Sequence, residues 1–194
     1  VYIESFDYAW YSQNEYWYDD PLYYLQQRAW VALFSEWIEG NRFIEFGGAS
    51  GELVSELQRA YPSCHVTYND VKDVCSPERV PDAKEIGTIE EVSGELVLQG
   101  ATFDAIFVFD VLEHSKRPRA SLAALRCLLA PGGRIFSISD NGDDMHSLSA
   151  LRFHDEHMHI WSQKSWQLMV TQEGLHETMY WARGNQFYSV LESI

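Results

Sequence analysis

The chain has 194 residues, 46% of them apolar, which is enough for one large domain with a substantial core. Its formal net charge of −15 opposes long-range attraction to nucleic-acid backbones and anionic membrane surfaces, so neither is expected as a partner. The three cysteines, Cys64, Cys75 and Cys127, form no CxxC pair and are odd in number, which argues against a disulfide framework and fits reduced thiols in a cytosol.

Residues 1–40 are dense in aromatics, among them Tyr8, Trp10, Tyr11, Tyr16, Trp17, Tyr18, Tyr23 and Tyr24, too many for an arm that faces only water. The opening VYIESFDYAWYSQ lacks the basic-then-apolar profile of an export signal, and no apolar run is long enough to span a bilayer. From 21 to 38 the pattern is helical, and we expect residues 1–40 to form a helical cap on a core spanning 41–194.

That core opens with a buried strand at 42–46 (RFIEF). A helix at 52–60 follows, with Leu53, Val54 and Leu57 on one face before Tyr61 and Pro62 end it. Strands are expected at 64–69 (CHVTYN), 83–87 and 103–109 (FDAIFVF). A helix over 119–129 is closed by the APGG of 130–133, and a strand occupies 134–139 (RIFSIS). A helix at 162–172 and strands at 175–182 and 187–191 complete the order. Repeated strand–helix alternation predicts a parallel sheet with helices on both faces. The final two strands are joined only by Arg183, Gly184, Asn185 and Gln186, too few residues for a crossover, so the last strand should run antiparallel.

In open parallel sheets ligands bind beyond the carboxyl ends of the strands, which draws attention to FIEFGGASGEL at 43–53. Glycine there allows backbone angles that other residues resist and a close ligand approach. A dinucleotide fingerprint, GxGxxG counted from Gly47, needs a small residue at position 52, where Glu52 stands. The spacing that fits is Gly47, Ala49 and Gly51, with Glu45 two positions ahead of the first glycine. A carboxylate at that point repels a pyrophosphate and suits a cationic ligand.

These residues resemble the class I S-adenosylmethionine-dependent methyltransferases, whose first motif is an acid followed by GxGxG after the first strand; here Ala49 replaces the middle glycine. The block FDAIFVFDVLEHSKRPRASLAALRCLLAPGGRIFSIS is similar to that family's fourth strand, following helix and fifth strand in order. The stretch HMHIWSQKSWQLMVTQEGL is similar to the segment after the fifth strand in small-molecule methyltransferases akin to those of quinone biosynthesis.

The resemblance implies a Rossmann-like, seven-stranded, mostly parallel sheet with an antiparallel last strand. It implies S-adenosylmethionine as cofactor, with Glu45, Gly47, Gly48, Ala49, Gly51 and Asp70 seating its methionine and ribose. Phe109 and Asp110 would line the other side, and Thr88 or Ile89 would meet the adenine where relatives place an acid.

The implied reaction is direct displacement of a methyl group onto a small organic acceptor, in the cytosol, releasing S-adenosylhomocysteine. His157 or His159 is the candidate base, and Tyr16, Trp17, Tyr18 and His114 are candidates for the acceptor pocket. His154, Asp155, Glu156, His157 and His159 also stand within six residues, a set able to hold a divalent metal. A metal-dependent hydrolase built on that cluster is therefore one rival reading, and a catalytically silent binding protein on the same fold is another. No metal site is assigned from the sequence.

Overall fold

The computed structural model describes residues 21–144 and 157–194. Helix α1 (Pro21–Phe34) leads into strand β1 (Arg42–Phe46), helix α2 (Glu52–Ala60) and strands β2 (His65–Asp70) and β3 (Ala83–Ile86). Next come α3 (Ile89–Leu98), β4 (Phe103–Phe109), a short 3-10 turn at Leu112–His114, α4 (Pro118–Cys127) and β5 (Leu129–Asp140). Helix α5 (Gln163–Gln172) and strands β6 (Leu175–Arg183) and β7 (Gln186–Ser193) follow. The strands form a seven-stranded sheet in the order β3-β2-β1-β4-β5-β7-β6, with β7 antiparallel to both neighbours, as the short 183–186 link requires.

Side chains alternate across the sheet and divide the core into two layers. On one face Ile44, Phe46, Ile106, Val108 and Ile135 meet α3, α4 and α5 through Val92, Leu122, Leu125, Trp166 and Val170. On the other, Phe43, Tyr68, Phe107, Phe136 and Ile138 meet α2 through Leu53, Val54 and Leu57, and α1 through Trp30, Val31 and Phe34. Helix α1 is anchored by rings: Trp30 meets Phe109 edge-on at 5.2 Å, and Phe34 contacts Phe109 at 5.6 Å and Phe136 at 5.3 Å. Among the described residues no helix is long and apolar enough to cross a membrane.

One strand starts earlier than the sequence expectation. Strand β5 begins at Leu129 rather than at 134, because Leu129 already pairs with Phe103. The Ala130–Gly133 segment is an irregularity inside the strand rather than a helix exit, since the next pair in register is Ala105 with Arg134.

Thr88, which the resemblance offers to the adenine, also caps α3. Its hydroxyl accepts from the Glu91 amide at 3.3 Å and donates to the Glu91 carboxylate at 2.8 Å, while that carboxylate accepts from the Thr88 amide at 3.0 Å. This reciprocal box satisfies the Thr88 and Glu91 amides at the start of the helix. Thr88→Ala should therefore cost about 1 kcal/mol, read as a lower midpoint in urea with an unchanged slope.

Candidate active site

The parallel register brings the strand ends to one edge. Phe46 of β1 pairs with Asn69 of β2 and Val108 of β4, so Gly47, Asp70 and Phe109 each lie one step past a common row. The loop leaving β1 is shaped by what surrounds it. Gly47 has φ +73°, and a Cβ there would stand 2.3 Å from Val111 Cγ2. A Cβ on Gly48 would stand 2.6 Å from the Tyr68 ring and 3.1 Å from Glu45 Oε2. Only glycine fits either place. Ala49, at φ +45°, takes a left-handed conformation that alanine seldom adopts, and the loop holds it from both sides. Its amide donates to Asp70 Oδ2 at 3.0 Å, and its carbonyl accepts from the Tyr68 hydroxyl at 2.7 Å.

The acids around this loop are treated unequally. Glu52 and Arg79 form a buried ion pair at 3.1 Å, and Arg79 also donates to the Ser50 carbonyl at 3.0 Å. Asp70 accepts from backbone amides, which hold its carboxyl down against the larger upward push of burial. Glu45 receives much less help: it is buried, and its Oε2 accepts no hydrogen bond. Burial first, then the nearby charges of Glu52 and Asp70, push its carboxyl up to about 8, opposed only by the Val54 amide. A buried carboxylate oxygen with no donor, beside a backbone that admits no side chain, is suited to a positively charged ligand arriving at the loop.

A second group of polar residues lies past β4 and β5. Asp110, at φ +52°, accepts from Gln186 Nε2 at 3.0 Å. Burial and the charge of Asp140 push its carboxyl up to about 7. Glu113 is fully buried; its Oε2 accepts from the Ser139 hydroxyl at 2.7 Å, and its Oε1 has no hydrogen-bond partner. Its backbone carbonyl accepts from the amides of Met158 at 2.8 Å and His159 at 3.2 Å, which docks the 157–159 segment against the turn after β4. His157 Nδ1 then lies 2.5 Å from Asp140 Oδ2, and the His157 ring meets that of His114 edge-on at 4.6 Å.

The residues proposed from sequence are thus only partly gathered. Glu45, Gly47, Gly48, Ala49, Gly51 and Asp70 form the β1 loop and its support. Asp110, His114 and His157 meet past β4 and β5. His159 is turned aside, its ring stacked on Trp161 at 5.6 Å, and Phe109 packs its ring against α1. Ile89 is buried at the head of α3, and the Thr88 hydroxyl is engaged by its cap. Tyr16, Trp17, Tyr18, His154, Asp155 and Glu156 lie outside the described residues. Sequence reasoning missed Tyr68, Glu113, Asp140 and Gln186; Asp140 carried a usable signal, being the acid that ends β5 on the ligand edge.

A Rossmann-like sheet with a glycine-built loop and an acid at the end of its first strand defines a class of nucleotide- or nucleoside-binding α/β proteins. Within that class, residues 16–177 match the methyltransferase domain family, and the chain belongs to it.

Among curated proteins it is 33% identical over 108 residues to the ubiquinone biosynthesis O-methyltransferase of Xylella fastidiosa, covering 51% of this chain and 42% of that one. It is 26% identical over 118 residues to norreticuline-7-O-methyltransferase of Papaver somniferum, covering 59% of this chain and 32% of that one. The match thus spans less than half the length of either relative. In fold it is similar to the 1,6-didemethyltoxoflavin-N1-methyltransferase of Burkholderia thailandensis, solved with bound 1,6-didemethyltoxoflavin and S-adenosylhomocysteine. The TM-score is 0.69 at 14% identity, covering 96% of this chain and 84% of the other.

Proposed function

We propose that the chain is an S-adenosylmethionine-dependent methyltransferase acting on a small organic acceptor in the cytosol. The observation that carries this reading is Glu45, whose buried oxygen without a donor stands beside the side-chain-free surface of Gly48. Glu45 and the Gly47–Gly51 loop would receive the methionine portion, Asp70 the ribose hydroxyls, and Thr88 or Ile89 the adenine. When bound, the cofactor supplies an activated methyl group together with its leaving group.

The chain's own task is then to hold the reactants in line and keep water out. The rings of Trp30, Phe34 and Phe109 close one side of the strand edge with apolar surface. His157, fixed by Asp140, is the histidine we assign to the acceptor side, in preference to His159. The family match and the small-molecule methyltransferases among the relatives support a small acceptor.

Calorimetric titration of the chain with S-adenosylmethionine and S-adenosylhomocysteine tests the reading directly. Saturable binding of both is expected, and no heat at millimolar ligand would favour a cofactor-free binding protein on the same fold. Asp70→Ala removes both the carboxylate and its hold on the Ala49 amide, so affinity for S-adenosylhomocysteine should fall about 10- to 100-fold, the worth of one charged hydrogen bond.

A further inference from the structure

Glu113, His114 and His157 come from two segments separated by β5 and the residues after it, yet each offers a ligand atom, a carboxylate oxygen or a ring nitrogen, and these atoms lie within 4.8 Å of one another. Three further observations suit them to one ion. Glu113 is completely buried, and its Oε1 accepts no hydrogen bond. The Ser139 hydroxyl fixes its other oxygen at 2.7 Å, which sets the plane of the carboxyl group. Asp140 holds His157 Nδ1 at 2.5 Å, the carboxylate–imidazole arrangement that orients a ligating histidine and places the lone pair on Nε2. The backbone supports the same geometry, because the Glu113 carbonyl clamps the amides of Met158 and His159.

We propose that Glu113, His114 and His157 form a binding site for one divalent transition-metal ion, with Asp140 and Ser139 as its supporting shell. Two imidazoles and one carboxylate select a borderline ion such as zinc or iron(II) over magnesium, which prefers oxygen ligands and retained water. Three protein ligands leave at least one coordination position open. Resting on the methyl-transfer reading above, that position takes the oxygen of the acceptor, so the acceptor class is a hydroxylated molecule. Such an ion would lower the pKa of the bound hydroxyl, so that the acceptor would give its proton to solvent on entry, before the site closes around it, and no protein base would be required. This site is distinct from the 154–159 cluster considered from sequence, sharing with it only His157.

The test uses the full chain, stripped of metal, titrated with Co²⁺ alone and followed by its visible d–d absorption. Absorption that saturates at one ion per chain is expected. Glu113→Gln keeps the shape of the side chain, and the double variant His114→Ala/His157→Ala removes both imidazoles; each should abolish the bands. Asp140→Asn should weaken Co²⁺ binding about 10- to 100-fold. S-adenosylhomocysteine titration of the same samples reports on folding and on the cofactor reading independently.

A chain that binds S-adenosylhomocysteine and takes up no Co²⁺ overturns the metal site and leaves the cofactor reading standing. The converse result sustains the metal site and removes its link to methyl transfer. Co²⁺ bands that persist in the double variant overturn the site outright.

Discussion

Gly47→Ala should abolish S-adenosylhomocysteine binding and lower the melting temperature by roughly 5–15 °C. Two costs combine. Alanine at φ +73° is strained by about 1–2 kcal/mol, and its methyl would enter the space of Val111 Cγ2, only 2.3 Å away, for about 1–3 kcal/mol of overpacking. Val111 has little room to yield. It is β-branched and follows Asp110, whose amide is tied to the Ile138 carbonyl at 2.9 Å. Gly132 provides the control, since its φ is +77° but nothing lies within 4 Å of a Cβ there. Gly132→Ala should show the strain alone and leave ligand affinity unchanged. Equal melting temperatures for the two variants would show that the loop tolerates the methyl and that its tightness is not what shapes the site.

Glu45 should make cofactor affinity depend on pH. In the ligand-free chain its carboxyl is pushed up to about 8 by burial and by its acidic neighbours, so it is protonated near neutrality. A cationic ligand prefers the ionised form, so binding must expel that proton. Below pH 8 each unit of acidification should weaken S-adenosylmethionine binding by up to tenfold, giving a loss of an order of magnitude or more between pH 8 and pH 6. Proton release, measured by calorimetry in buffers of different ionisation enthalpy, should accompany binding at pH 7.

Stability has the opposite sign. With a folded-state pKa above the ordinary 4.5, the contribution of the protonated group is fully present below pH 4.5 and is lost as pH rises through 8. Glu45→Gln, which mimics the protonated form, should remove this part of the pH dependence of stability, bind the cofactor at least about tenfold more weakly, and release no proton. A flat affinity profile in the unaltered chain would sink the assignment of Glu45 to the cationic end of the ligand.

The parts legible in the sequence were those encoded locally. RFIEF and FDAIFVF are apolar runs of strand length bounded by breakers, and each became a central parallel strand. The β1 loop was legible because glycine spacing and a preceding acid are read within a few residues. The start of β5 was not, because APGG has the chemistry of a helix stop, and only the pairing of Leu129 with Phe103 reveals a strand already under way.

Thr88 carried its own signal in the T-x-x-E spacing to Glu91, a capping box, which competes for the hydroxyl assigned to adenine. The Glu113–His114–His157–Asp140 group could not be read from spacing. Its members come from the turn after β4, the end of β5 and the segment before α5, and only tertiary docking on the Glu113 carbonyl brings them together.

The strand order carries a consequence for biosynthesis. Strand β7 lies between β5 and β6, so β6 has no hydrogen-bonding neighbour in the sheet until the residues after it have been made. On the ribosome, β1 through β5 can assemble as the chain emerges, while β6 must wait for β7 to thread beside β5 and link it to the rest. Until then the exposed margin of β5, with its run of Ile135, Phe136 and Ile138, is the surface on which a nascent chain of this kind would need shielding from other polypeptides.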